Sequence, residues 1–80
     1  MSLQPLVEKL VKTLVEEPDS VSVEEAEDRG AVLYNVTVAP NDVGRIIGKD
    51  GRVITCVRQL VGAAGSKHRQ KAIVKVLTDD

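Results

Sequence analysis

The chain has 80 residues, 11 basic and 12 acidic, for a net charge of −1; that length is expected to form a single domain, 1–80, with a thin core. One cysteine (Cys56) excludes an internal disulfide, a single histidine (His68) leaves no four-ligand zinc site, and no apolar run approaches the roughly 20 residues that span a bilayer. The expected setting is therefore cytoplasmic and reducing, with no metal and no cofactor.

Phe and Trp are absent and Tyr34 is the one aromatic, so the core must be Val, Leu, Ile and Ala. The abundance of Val favours some sheet. Residues 3–17 read as an amphipathic helix, because Leu3, Leu6, Val7, Leu10, Val11 and Leu14 recur at helical spacing. Pro5 is tolerated in a first turn, and Pro18 blocks continuation. The polar face is not basic, which argues for packing on a sheet and against a membrane surface.

Residues 20–28 start as an alternating strand (Val21, Val23) and become acidic. Arg29-Gly30 marks a turn. Residues 32–39 alternate, with Val32, Tyr34, Val36 and Val38 on one face. The two runs predict a β-hairpin whose acidic strand lies at the sheet edge. Pro40-Asn41-Asp42 ends the second strand, and Asn41 or Asp42 can cap the next helix through its side-chain oxygen.

A short helix, 43–47, then meets Gly48-Lys49-Asp50-Gly51. A longer helix over 52–64 places Val53, Val57, Leu60 and Ala64 on one face, and Gly65 reads as the residue just past its end. The basic connector Lys67-His68-Arg69-Gln70-Lys71 leads to a last strand, 72–78. Two helices between the second and third strands imply a parallel, right-handed crossover. The expected fold is α+β in the order αββααβ: a three-stranded mixed sheet with three helices on one face.

The near-neutral total hides an asymmetry. Residues 1–42 carry 3 bases and 9 acids, whereas residues 43–80 carry 8 bases and 3 acids. A neutral chain with one basic half can still present a local positive field. Within that half lies Val43-Gly44-Arg45-Ile46-Ile47-Gly48-Lys49-Asp50-Gly51-Arg52-Val53-Ile54. Glycines permit positive φ and close approach of another backbone. The first turn of the following helix offers unpaired N–H groups and a partial positive charge. Lys49, Arg45 and Arg52 surround that point, and Ile46, Ile47 and Ile54 bring apolar surface. A groove of this kind suits a single-stranded nucleic acid, with phosphates on one side and bases on the other.

The string Ile46-Ile47-Gly48-Lys49-Asp50-Gly51-Arg52-Val53-Ile54 resembles the signature of the KH RNA-binding domains, and the element order resembles their type II form. The longer string Asp42-Val43-Gly44-Arg45-Ile46-Ile47-Gly48-Lys49 is similar to the small bacterial stand-alone KH proteins of the KhpA family. The resemblance covers the whole chain. It implies a non-enzymatic, cytoplasmic binder of single-stranded RNA, serving in post-transcriptional regulation or as an RNA chaperone. It further implies self-association or pairing with a larger KH-containing protein. Carried residue by residue, it implies RNA contact at Gly48, Lys49, Asp50 and Gly51, with Arg45, Arg52, Ile47 and Ile54 around them. The near absence of aromatics agrees, because a KH loop needs no stacking platform.

Competing readings are weaker. Gly44 to Asp50 imitates a phosphate-binding loop of nucleotide hydrolases, but has three residues between its glycines where four are needed, and Asp50 where a hydroxyl is needed. Ser66 near His68 has no orienting acid, and Cys56 has no base beside it. Lys67, Arg69 and Lys71 are either a solvated connector or, if folded toward the loop, phosphate contacts. Leu33, Ile73 and Leu77 on the outer sheet face form a candidate pairing patch.

Overall fold

The computed structural model describes residues 2–77. Its elements are α1 (Gln4–Leu14), β1 (Ser22–Asp28), β2 (Ala31–Thr37), α2 (Val43–Ile47), α3 (Arg52–Lys67) and β3 (Lys71–Val76). β1 and β2 are antiparallel, joined by Arg29 and Gly30 at φ 52° and 82°. Two positive φ values are what a two-residue hairpin turn needs to match strand twist. β3 lies parallel to β2, so the sheet order is β1-β2-β3. This is the α+β arrangement expected, with the acidic strand at an edge. The expected last strand reaches Thr78, which lies outside the described residues.

The core is the aliphatic one that the composition demands. Val7 and Val11 of α1, Ile46 of α2, and Ile54, Val57 and Val61 of α3 pack on Val23, Tyr34, Val36 and Val74 of the sheet. Tyr34 is fully buried, and its hydroxyl needs partners there. The oxygen accepts the Leu3 N–H at 2.9 Å and donates to Gln70 Oε1 at 2.8 Å. One phenol thus ties the start of α1 to the turn before β3.

Two boundaries differ from the periodicity reading, both for tertiary reasons. α1 stops at Leu14, and Val15 is extended at φ −102°, ψ 162°. The N–H groups of Glu16 and Glu17 donate instead to Asp42 Oδ1 at 3.1 Å and Oδ2 at 3.0 Å. Asp42 makes no side-chain cap bond to α2; its oxygens are taken by a segment distant in sequence. It is 1% exposed, the one buried charged residue among those described. Burying a carboxylate costs heavily unless donors meet it. Here two amides do, with Arg45 Nε at 3.4 Å.

The second difference is at Gly65. It lies inside α3, which continues to Lys67, and is buried. A Cβ there would meet the Gln70 carbonyl oxygen at 2.6 Å and Ala72 Cβ at 3.1 Å. The Gln70 N–H returns to the Gly65 carbonyl at 2.7 Å. Gly65 therefore serves close packing of the turn onto the helix, and not the helix end.

Gly65→Ala should cost about 1–3 kcal/mol through overpacking, measured by urea denaturation. Gly62→Ala, where an added methyl meets nothing within 4 Å, should gain about 1 kcal/mol. Asp42→Ala should cost about 2–3 kcal/mol by stranding its donors.

Candidate nucleic-acid interface

The turn between α2 and α3 is built from positive-φ residues. Gly48 has φ 75° and ψ 176°, Asp50 has φ 57°, and Gly51 has φ 74°. Gly48 is required twice over. Its dihedrals suit only glycine, and a Cβ would stand 2.3 Å from Val53 Cγ2 and 2.9 Å from Val53 N. Its N–H closes α2 onto the Gly44 carbonyl at 2.8 Å, and its carbonyl accepts the Gly51 N–H at 3.3 Å. The backbone of the turn is thus bare of side chain at Gly48 and Gly51, with open space around Gly51.

Gly51 is the N-cap of α3 and brings no side-chain cap. The Arg52 N–H that opens this 16-residue helix donates to the Lys49 carbonyl, so the first-turn amides of α3 point toward the turn with their leading member already paired. Their partial positive charge adds to that of nearby cations. Lys49 and Arg52 are exposed, and neither forms an ion pair or side-chain hydrogen bond among the described residues. The Asp50 carboxylate is likewise exposed and unpaired among them. Thr55 Oγ donates to the Gly51 carbonyl at 2.8 Å and braces the junction.

The remaining predicted residues divide. Arg45 is engaged, with Nη2 at 2.7 Å from Glu16 Oε1 and Nε near Asp42. Ile47 is half-buried beside the turn, whereas Ile46 and Ile54 sit in the core. Ile54 therefore supports the turn from beneath, and the apolar surface open to a ligand falls to Ile47. Lys67, Arg69 and Lys71 are not brought to the turn. They lie at the other end of α3, about 22 Å away along its axis. His68 is exposed in that same connector.

The sequence reading passed over Arg58. It is exposed on α3, and its Nε donates to the Val74 carbonyl of β3 at 3.1 Å. Its position on the same helix as Arg52, off the apolar face, was the available signal. Among the described residues no cluster of His, Cys, Asp or Glu could hold a metal, and no helix is long and apolar enough to cross a membrane.

Comparison with known proteins bears on the family and the fold. The family described as "KhpA/KhpB, KH domain" matches residues 4–76. A protein named RNA-binding protein KhpA from Caldanaerobacter subterraneus is 39% identical over 72 residues, covering 90% of this chain and 96% of that protein. The protein of the same name from Clostridium perfringens is 35% identical over 75 residues, covering 94% and 100%. Among solved structures, Aquifex aeolicus Era (Y63A, bound to GDP·AlF4−) superposes with a TM-score of 0.63 at 20% identity over 99% of this chain. Era in complex with MgGDPNP and nucleotides 1506–1542 of 16S ribosomal RNA does so with a TM-score of 0.57 at 23% identity. The chain spans about a third of each Era chain, 33%, and at these identities the likeness concerns the fold, that of a type II KH domain. A match running from the start of α1 to the end of β3, with the glycine turn at the junction of its two helices, makes this chain a member of the KhpA/KhpB family of KH domains.

Proposed function

We propose that this chain binds single-stranded RNA without catalysis, holding about four nucleotides at the turn Gly48–Gly51. One observation carries the reading: a backbone bare at two glycines leads into the N-terminus of α3, with the side chains of Lys49 and Arg52 unpaired alongside among the described residues. A phosphodiester chain fits each part. Its phosphates approach the bare backbone and the cations, and its bases lie against Ile47. Asp50 joins by its backbone, since its carboxylate opposes phosphate. Lys67, Arg69 and Lys71 would meet only a longer strand. The relatives named RNA-binding protein KhpA support the ligand class. Such short, low-affinity contact suits post-transcriptional regulation or RNA chaperoning.

Lys49→Asp should abolish binding of short single-stranded RNA, followed by fluorescence anisotropy, while leaving the melting temperature unchanged. Unchanged affinity would overturn the site. For the wild type, two phosphate contacts give a log–log salt slope of about −1.4.

A second reading, pairing with another copy of the chain, is favoured by a groove between α1 and α3. It holds about 400 Å³ and is lined by Leu10, Leu14, Val53, Cys56, Val57 and Leu60. Leu14 and Leu60 are 40% and 57% exposed. Groove and projecting leucines share one face, so a two-fold pairing sets each Leu60 against the groove of the other copy. The outer sheet face offers less. Leu33 and Ile73 are adjacent in register and half-buried, with Leu77 exposed. Light scattering should find a dimer that Leu60→Asp dissolves and Leu33→Asp leaves intact. A monomer at every accessible concentration would remove this reading.

A further inference from the structure

We propose that Glu16 is an internal anion that occupies Arg45 in place of an RNA phosphate and so limits how tightly the turn holds its ligand. The inference rests on the RNA-binding reading above. Arg45 has two unlike carboxylate partners. The Asp42 side chain is 2% exposed and faces Arg45 Nε at 3.4 Å, whereas Glu16 is 69% exposed and takes Nη2 at 2.7 Å. The buried contact orients the guanidinium. The exposed contact is exchangeable, because such pairs are screened by salt and replaced by water at little cost.

Asp42 places the competitor as well as the arginine. The Glu16 N–H donates to Asp42 Oδ1, the same oxygen that faces Arg45 Nε. The fork is therefore pre-aimed, and its outer position is filled by a carboxylate from the segment after α1. A guanidinium binds carboxylate and phosphate oxygens through the same geometry. Arg45 lies on α2 three residues before Gly48, where the turn begins, and a KH clamp spans about four nucleotides. Of the three cations near the turn, two stand free and the third is held in reserve.

The test is a titration of short single-stranded RNA over a series of KCl concentrations. Glu16→Gln should tighten binding about threefold at low salt, the size of an exposed ion pair, and steepen the log–log salt slope by about 0.7, one added phosphate. Glu17→Gln removes the same charge from a neighbour that does not touch Arg45, and should leave the slope unchanged. In an Arg45→Gln background, Glu16→Gln should have no more effect than Glu17→Gln. Equal effects of Glu16→Gln and Glu17→Gln in the parent, with RNA binding intact and lost in Lys49→Asp, overturn the competition alone. A wild-type protein that binds no RNA overturns the functional reading, and this inference with it.

Discussion

The carboxylate of Asp42 is buried where the segment after α1 meets the start of α2 and must be met by donors there, and the layout of one end of the molecule follows from that demand. Its oxygens draw in the amides of Glu16 and Glu17, which ends α1 and turns the chain toward β1. The same side chain stands at the N-cap of α2 and faces Arg45 one turn on. The end of α1 and the start of α2 are therefore fixed to one point. α2 has five residues, so its far end, Gly48, inherits that placement with little room to drift. A charge that is costly to bury becomes an anchor because removing any one partner would leave the others unmet.

From that anchor the chain enters a turn that suits few residues. Positive φ at Gly48, Asp50 and Gly51 reverses the backbone between two helices without a side chain at either glycine. Val53 fills the space a Gly48 side chain would take, so the start of α3 packs directly on the turn. That contact sets the N-terminus of α3 beside a bare backbone. Short range, low bulk and fixed partial charge coincide there, and the proposed phosphate contact rests on that coincidence.

The charges of the chain are arranged around the same point. Acids lie mainly on the segment after α1 and on the edge strand β1, and most bases lie from α2 to β3. The two halves meet where Glu16 reaches Arg45. A near-neutral total therefore coexists with a local excess of positive charge at the turn, one arginine of which is paired with Glu16. Long-range attraction to bulk nucleic acid is small in such a molecule, and binding depends on close contacts.

Periodicity, glycine punctuation and charge run are local properties, and the sequence alone was enough for what depends on them. It determined the element order, the acidic edge strand, the parallel crossover and the glycine turn with Lys49 and Arg52 beside it. What it left to the tertiary structure were choices between partners far apart in the chain. Helical spacing carried α1 on to residue 17, but the amides of Glu16 and Glu17 found an acceptor 26 and 25 residues away. Gly65 looked like a helix end, but its bareness serves the returning turn before β3. Ile46, Ile47 and Ile54 were equivalent on paper, and only packing separated the half-buried Ile47 from its two core neighbours. Lys67, Arg69 and Lys71 shared the sign of Lys49, but the length of α3 holds them apart from it. Residue type and spacing state what a side chain can do; which partner it meets is decided by the desolvation of buried groups and the rigidity of the elements between them.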